Sequence, residues 1–265
     1  MNQAKNQAPV RRVQHTVIRK GDEMQQYIFS TKGHSAALEY ATIELENAGW
    51  KKAPNAPIVL LPVPSFTANG QIKGGGSIEE LSNAQTILGG NLNHPALKKY
   101  NCIDLLKNPM YLSENAAITA HCALCIVMEN LPITLEGCPI LVAGWGRIGK
   151  CLVRLLRQLG AKPTIAARSV ADRALAEALG YQAMDINENA PDLSIYRVIV
   201  NTIPAMVFPA DKLRTCRENC LKIDLASEQG IEASDVIWAR GLPNLDAPES
   251  SGKLIAKIIQ KELKS

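Results

Sequence analysis

Hydrophobic and polar positions along this chain follow the order expected for the strands and helices of parallel β-sheets. Three short apolar runs in the first part of the chain predict strands, at residues 26–30, 56–63 and 86–89. Periodic apolar positions over residues 36–48 predict a helix, with Ser35 as its N-cap and Gly49 as its end. This order of elements predicts a small flavodoxin-like α/β domain of three or four strands over residues 1–112.

A long apolar stretch with helical periodicity connects this region to the second half of the chain. It begins near Ser113 and continues to Glu129, as expected for a buried connector helix. Beyond it, strands alternate with helices, and the predicted strands with their loops lie at residues 139–143, 162–169, 197–204, 220–227 and 236–239. The alternation predicts a Rossmann-type doubly wound parallel sheet over residues 113–250. Residues 251–265 are predicted to form a closing helix that returns to the first domain.

A glycine turn separates the strand at residues 139–143 from the helix that follows it. Its sequence is Gly144-Trp145-Gly146-Arg147-Ile148-Gly149. In a dinucleotide-binding βαβ unit, the first glycine of such a pattern permits a tight turn and the second lets the backbone approach a pyrophosphate. The third lets the helix pack on the strand. The turn therefore predicts a dinucleotide site, and a glycine turn without a ligand is the alternative.

The end of the next strand bears on which dinucleotide is bound. NAD-specific folds usually place an Asp or Glu there, which accepts hydrogen bonds from the ribose hydroxyls. This chain instead has Arg168 and Ser169, which are suited to bind a 2′-phosphate and so predict NADP rather than NAD. A solvent-exposed arginine without a ligand is the alternative. The loop Asn201-Thr202-Ile203-Pro204 follows another strand at the same edge and is predicted to line the cofactor site.

Length and charge narrow the class of protein and its partners. The 265 residues suffice for two modest domains, and a formal net charge of +4 without a basic block does not indicate a nucleic-acid partner. Residues 1–24 form a polar lead-in, in which residues 16–18 are a candidate strand and no signal-peptide core is visible. The apolar stretch at residues 116–128 is too short to span a membrane. We therefore expect a soluble cytoplasmic protein without a membrane partner.

The seven cysteines are predicted to be mostly reduced and buried, as is usual in an α/β protein of this kind. Cys122 and Cys125 form a CxxC pattern in the apolar connector stretch. A zinc site would require a second pair of ligands, and Cys216 and Cys220 would have to come close in space. This spacing is poor for zinc, so the cysteine pattern predicts helix packing and no metal site.

Polar residues near the predicted cleft between the domains are candidates for substrate binding and catalysis. The candidate substrate ligands are Ser65, Thr67, Asn69 and Arg240. His121 is a candidate proton relay if the connector helix faces the cofactor, and Asp224 at a strand end is a candidate catalytic carboxylate. The alternatives are polar loop residues, a satisfied core histidine and a helix-capping carboxylate.

Several short motifs in a fixed order resemble the A subunits of dipicolinate synthase. They are Gly144 to Gly149, Ala167-Arg168-Ser169, Asn201-Thr202-Ile203-Pro204, Asp224-Leu225-Ala226-Ser227, and Gly241-Leu242-Pro243 with Ala247-Pro248. Together these motifs are much more specific than a GxGxxG pattern alone. The resemblance covers the chain well from Asn115 onward and the first 110 or so residues loosely.

The resemblance implies a two-domain oxidoreductase related in plan to D-2-hydroxyacid dehydrogenases. Such an enzyme oxidises dihydrodipicolinate, a small dicarboxylate, to dipicolinate with a nicotinamide cofactor during sporulation. The partner that the resemblance implies is a flavoprotein-like B subunit, and we expect the chain to form a homo-oligomer.

Some positions depart from the pattern of that family. His121 and Cys122 stand where the family usually has Glu-Gly, and Glu228-Gln229-Gly230 replaces the segment that usually follows Asp-Leu-Ala-Ser. Two alternatives therefore stay open: an NADP-dependent dehydrogenase of the 2-hydroxyacid type with another substrate, and a non-catalytic nucleotide-binding subunit. The former is expected to carry a late histidine, which the last 30 residues lack.

Overall fold

The computed structural model describes residues 27–189 and 191–264. This part of the chain contains eleven strands and six α-helices, and the strands form two parallel sheets. The α/β fold class predicted from the hydrophobic pattern is confirmed. The candidate strand at residues 16–18, with the rest of the polar lead-in, lies outside the described residues.

The first sheet has five parallel strands in the order β2-β1-β3-β4-β5, which is the flavodoxin-like order. Its strands are β1 (Ile28–Thr31), β2 (Lys51–Lys52), β3 (Ile58–Leu60), β4 (Thr86–Gly89) and β5 (Asn101–Asp104). The flavodoxin-like prediction is confirmed, but the prediction of three or four strands was wrong. The two missed strands, β2 and β5, lie at the sheet edges, and their partly exposed, mainly polar residues give no apolar run to detect.

Two helices distant in sequence cover one face of this sheet. Helix α1 (Ala36–Asn47) begins as predicted, because the Ser35 side chain accepts a hydrogen bond from Leu38 N at 3.2 Å. The C-terminal helix α6 (Pro248–Lys264) packs against α1, and both bury the same row of strand residues, which comprises Phe29, Leu60 and Leu88. One face of the first sheet is therefore covered in part by residues near the end of the chain.

The second sheet has six parallel strands in the order β11-β10-β9-β6-β7-β8, the doubly wound order of a Rossmann fold. Its strands are β6 (Pro139–Ala143), β7 (Lys162–Ala167), β8 (Gln182–Asp185), β9 (Val198–Asn201), β10 (Leu221–Asp224) and β11 (Val236–Trp238). Helices α3 (Arg147–Gln158) and α4 (Val170–Ala178) form the crossovers after β6 and β7. The strand order reverses between β6 and β9, so a cleft opens there at the carboxyl edge of the sheet.

The connector is a single long helix, α2 (Pro109–Asn130), and it starts earlier than predicted because Asn108 caps it and Pro109 occupies its first turn. By length and composition alone it is the one described helix that could span a membrane. It packs instead between α3 and α6. The predicted domain boundaries at residues 112 and 250 fall inside α2 and α6, and a short helix α5 (Leu242–Leu245) precedes α6.

The contact between α1 and α6 gives a test of this arrangement. A Cβ on Gly252 would lie 2.4 Å from Tyr40 Cβ and 2.7 Å from Ala37 O, so the two helices touch at this glycine. We expect Gly252→Ala to lower the free energy of unfolding by about 1–3 kcal/mol, because overpacking outweighs the better helix propensity of alanine. Urea unfolding measures this change. Ser250→Ala, at an exposed position of the same helix, is the control and should stay within about 0.5 kcal/mol of wild type.

Candidate functional site

The glycine turn between β6 and α3 has the backbone geometry of a dinucleotide-binding turn. Gly144 has a φ of 104°, which residues with a Cβ rarely adopt. A Cβ on Gly149 would lie 2.1 Å from Gly144 O, so α3 begins in direct contact with the turn. A Cβ on Gly146 would meet no atom within 4 Å, and open space therefore lies beside the backbone there. The three glycines adopt the three geometries that the sequence pattern predicts.

The N-terminus of α3 presents backbone donors beside this open space. The first hydrogen bond of the helix runs from Lys150 N to Gly146 O at 3.0 Å, so the N–H groups of the first turn, including those of Arg147 and Ile148, have no partner within the helix. Such a terminus stabilises an anion by its dipole and its free donors. The Trp145 side chain is buried in the core and packs edge-on against Tyr181, so at this position only the backbone is available to a ligand.

A hydrogen-bonded loop after β9 packs directly on the glycine turn. Thr202 N and Thr202 Oγ1 both donate to Ala143 O, at 2.9 and 2.8 Å. Asn201 is fully buried, and its amide pairs with both backbone groups of Ile203 at 2.9 Å. The predicted cofactor-lining loop is therefore held in one conformation by its own side chains.

The fully buried carboxylate of Asp224 organises the neighbouring loop. Its Oδ1 accepts hydrogen bonds from Asn201 Nδ2 at 3.1 Å and from Ala226 N at 3.0 Å, and its Oδ2 accepts from Gly230 N at 2.7 Å and from Ile231 N at 3.1 Å. Four donors satisfy both oxygens of the carboxylate. The geometry therefore gives Asp224 a role in positioning loops rather than the predicted catalytic role.

A groove with a volume of about 680 Å³ runs along the carboxyl ends of β7, β8 and β9. We call it the cofactor groove, and its walls include Arg168, Asn187, Glu188, Ile203, Pro204 and Lys212. Burial lowers the pKa of Lys212, although nearby acids, Asp185 first among them, act in the opposite direction. The groove adjoins the glycine turn, because Ile203 Cγ1 would lie 3.0 Å from a Cβ on Gly144.

The residues at the end of β7 divide into one unpaired cation and two structural groups. Arg168 is exposed, lines the cofactor groove and has no side-chain partner among the described residues. Ser169 caps α4 by accepting a hydrogen bond from Asp172 N at 3.2 Å. Arg173 donates to the carbonyl oxygens of Ala167 and Arg168 and forms an ion pair with Asp185 at 3.1 Å. Arg168 is therefore the residue of this group that is free to bind a ligand.

A second cavity of about 460 Å³ lies between the two domains. We call it the interdomain cleft, and its walls include Pro62, Lys73, Tyr111, Asn115, Arg240 and Asn244. Lys73 comes from the first domain and Arg240 from the turn after β11, and neither forms an ion pair with a described residue. None of the described residues that line the cleft is Asp, Glu or His. The cleft is therefore positively charged and suited to an anionic ligand.

A buried tyrosine and a buried serine form part of the same wall. The Tyr111 side chain from α2 and the Ser251 side chain from α6 are both buried and lie near each other. Burial raises the pKa of Tyr111 to about 12, and the hydrogen bond to Ser251 acts in the opposite direction. Tyr111 is therefore neutral at physiological pH and serves as a hydrogen-bonding group of the wall.

The other predicted site residues lie apart from the cleft wall. Ser65 is fully buried, where its hydroxyl donates to Pro62 O and accepts from Gly90 N, so its hydroxyl is not accessible to a substrate. Thr67 is exposed and bonds to Gln71 within its own loop. His121 is exposed on α2, and it does not line the cleft that Tyr111 and Asn115 of the same helix line. The exposure of His121 excludes the alternative of a satisfied core histidine, and its role as a proton relay stays a prediction.

Sequence reasoning missed Lys73, Tyr111 and Ser251. A signal for Lys73 was present, since it precedes three consecutive glycines in the polar loop after β3. Tyr111 and Ser251 lie on helices whose meeting is a property of the tertiary fold, and no local pattern marks them. Cys122 is buried as predicted and burial raises its pKa to about 11, whereas Cys125 is exposed. Within the described ranges, no group of three His, Cys, Asp or Glu residues is arranged to hold a metal ion.

Comparison with known proteins supports the predicted resemblance. The A subunit of dipicolinate synthase from Bacillus subtilis (strain 168) is 25% identical over 234 residues, which cover 77% of each chain. The crystal structure of the A subunit of dipicolinate synthase from Bacillus halodurans matches with a TM-score of 0.79 at 21% identity, covering 91% of this chain and 98% of that one. No protein-family profile matches the chain.

The fold extends to dehydrogenases of lower similarity. The apo-structure of D-lactate dehydrogenase from Escherichia coli matches with a TM-score of 0.65 at 13% identity, covering 90% of this chain and 97% of that one. The resemblance to the A subunits of dipicolinate synthase is therefore confirmed. The chain therefore has the fold that these dipicolinate synthase A-subunit and D-lactate dehydrogenase structures share.

The two glycines at the start of α3 give a matched pair of variants. We expect Gly149→Ala to lower the free energy of unfolding by about 2 kcal/mol or more, because its Cβ would collide with a backbone oxygen. Gly146→Ala should leave stability within about 0.5 kcal/mol of wild type and weaken NADPH binding at least about tenfold, because its Cβ occupies the space that a pyrophosphate needs. Urea unfolding and NADPH fluorescence titration measure the two effects. Unchanged NADPH affinity in Gly146→Ala would contradict a pyrophosphate site at this turn.

Proposed function

We propose that this protein is an NADP-dependent oxidoreductase that oxidises dihydrodipicolinate to dipicolinate. The observation that carries the proposal is the interdomain cleft, in which Lys73 and Arg240 face the same cavity and no described residue of the walls is a carboxylate or a histidine. The similarity to the A subunits of dipicolinate synthase supports it. A dianion of two carboxylates is the kind of substrate that two cations without an ion-pair partner among the described residues bind.

The glycine turn fits a dinucleotide. Its positive-φ glycine, the open space at Gly146 and the free donors of α3 are the features that hold a pyrophosphate. When bound, the nicotinamide supplies the acceptor for the hydride of the substrate. The chain's own part is to position the cofactor through the rigid loop at Asn201 to Ile203 and to hold the substrate against it.

Arg168 supports the choice of NADP. It is unpaired, exposed and in the wall of the cofactor groove at the end of β7, where the ribose of the adenosine half lies in folds of this kind. Glu188 and Asp211 also line the groove, and Lys212 lies beside them. In the proposal Arg168 pairs with the 2′-phosphate, because it is the basic group that no other described residue engages.

The described residues of the cleft wall include neither a carboxylate nor a histidine, which fits an aromatisation. Oxidation of a dihydropyridine removes one hydride and one proton, and the aromatic ring that forms favours loss of the proton. Water is then a sufficient acceptor for this proton. A 2-hydroxyacid dehydrogenase instead needs a base for a hydroxyl proton, and the described residues of the cleft wall offer neither histidine nor carboxylate for that task.

The same observation favours a second candidate, a nucleotide-binding subunit without turnover. The experiment that separates the two is an assay of the purified chain with dihydrodipicolinate and NADP, alone and with a flavoprotein-like B subunit. Formation of dipicolinate in either setting supports the oxidoreductase. Binding of NADPH without turnover in both settings supports the second candidate. In the proposal the chain acts in the cytoplasm of sporulating cells as part of an oligomer with that subunit.

Cofactor choice depends on Arg168 in this proposal. We expect Arg168→Ala to weaken NADPH binding by about 10–100-fold and to leave NADH binding unchanged, because only NADPH carries the phosphate. Fluorescence titration measures both affinities. Arg154→Ala, at an exposed arginine of α3, is the control and should change neither. Equal wild-type affinities for the two cofactors would overturn the choice of NADP.

Substrate binding depends on the two cations of the cleft. We expect Lys73→Met and Arg240→Met each to lower kcat/KM for dihydrodipicolinate by about tenfold or more, mainly by raising KM, since each removes a charge-assisted hydrogen bond to a carboxylate. Steady-state kinetics measure this change. Lys51→Met, at an exposed lysine of the edge strand β2, is the control. Wild-type kcat/KM in both cleft variants would show that the substrate binds elsewhere.

A further inference from the structure

The segment between β9 and β10 brings two thiols together beside the cofactor groove. Cys216 ends a 3₁₀ turn, Lys212–Thr215, and its N–H donates to Leu213 O at 2.9 Å. The chain then turns back, since Cys220 N donates to Arg217 O at 3.1 Å just before β10 begins. Both side chains pack in one hydrophobic cluster on the same face of the second sheet.

The two thiols differ in access. Cys220 is buried, at 2% exposure, and Cys216 is half-buried and open to solvent on one side. They flank one tight turn four residues apart, and the two thiols are near enough for each to shift the pKa of the other. A small reagent therefore reaches Cys216 first, whereas Cys220 is shielded from solvent.

The surroundings of the pair also make Cys216 the more acidic of the two thiols. The hydrogen bond from Cys220 lowers the pKa of Cys216 to about 7, burial acts against this, and the Lys222 ammonium lowers it further while Asp235 raises it. The same contact and burial raise the pKa of Cys220. Lys222 itself is anchored by Cys220 O at 3.1 Å and by Asp235 at 2.8 Å. Cys216 is therefore the thiol of the pair that ionises first as the pH rises.

We propose that Cys216 and Cys220 form a reversible dithiol–disulfide pair that weakens cofactor binding when it is oxidised by a low-molecular-weight disulfide. The Cys216 thiolate attacks one sulfur of that disulfide, forms a mixed disulfide and releases one thiol. Cys220 then loses its proton and attacks Cys216 Sγ, which forms the Cys216–Cys220 bond and releases the second thiol. Two electrons pass from the protein to the small disulfide, and two small thiols leave.

The link to the cofactor is the segment that the pair closes. Pro209, Asp211 and Lys212 line the cofactor groove, and the turn that carries Lys212 ends at Cys216. Lys212 Nζ donates to Ile186 O at the end of β8, so the turn is attached to the groove on both sides. A disulfide requires an S–S distance of about 2.05 Å, so its formation pulls this turn toward β10. This link rests on the proposed dinucleotide function, whereas the thiol chemistry does not.

Peptide mapping tests the chemistry without any cofactor. The full chain is treated with oxidised glutathione and digested with trypsin without reduction. Cleavage after Arg217 separates the two cysteines, so the expected product is residues 215–217 linked to residues 218–222, and dithiothreitol should reverse it. In Cys220→Ser the reaction should stop at one glutathione on Cys216, and in Cys216→Ser Cys220 should stay unmodified. Modification of the exposed Cys125 instead, or no linked peptide, would overturn the proposal.

The rate of thiol alkylation and the NADPH affinity of oxidised and reduced protein complete the test. Iodoacetamide should modify Cys216 at pH 7 about fivefold faster than an ordinary thiol, since half rather than about 1% is thiolate and the lower nucleophilicity of an acidic thiolate offsets part of that gain. Oxidised wild type should bind NADPH about fivefold or more weakly than reduced wild type, and oxidised Cys125→Ser should do the same. Linked peptide with unchanged NADPH affinity would overturn the effect on the cofactor. Failure of reduced protein to bind NADPH would instead contradict the proposed function.

Discussion

The contact between Gly149 and Gly144 O is the constraint on which the rest of the second domain depends. Without side chains at these positions, α3 starts directly against the turn that ends β6, and its free N–H groups face the carboxyl edge of the sheet. Thr202 fills the other side of the turn and ties it to the loop after β9 through Ala143 O. A wider spacing between helix and strand would separate the glycine turn from the groove that continues its binding surface.

Buried polar groups then hold the loops that a ligand meets. Asp224 satisfies four donors from two loops, and in the first sheet Asp104 accepts hydrogen bonds from three backbone N–H groups, those of Asn91, Leu92 and Leu106. In both sheets a carboxylate at the end of a strand shapes the loops at the carboxyl edge. Rigid loops let a few cations without an ion-pair partner among the described residues, Lys73, Arg168 and Arg240, define the chemistry of the surface.

The sequence predicted the structure correctly wherever that structure depends on residues that are close together in the sequence. The Ser35 cap, the apolar strands of both sheets and the three glycine geometries follow from residues within one turn or strand, and each was predictable. The edge strand Lys51–Lys52 was not, because it is defined by pairing with β1 rather than by its own side chains. The roles of Asp224 and His121 were left open for a related reason: burial and the direction of a helix face cannot be read from a carboxylate at a strand end or a histidine in an apolar helix. Lys73 could not be predicted as a site residue without knowing which loop faces Arg240 in the folded protein.

The position of α6 has a consequence for how the chain acquires its structure. One face of the first sheet, with Phe29 and Leu88, is covered by α1 and by residues at the far end of the chain. During synthesis that face is covered only in part until α6 has left the ribosome, whereas the six-stranded sheet already has all of its strands by Trp238. The N-terminal half is therefore completed last, and a chain truncated before Pro248 would expose an apolar surface that other truncated chains can bind.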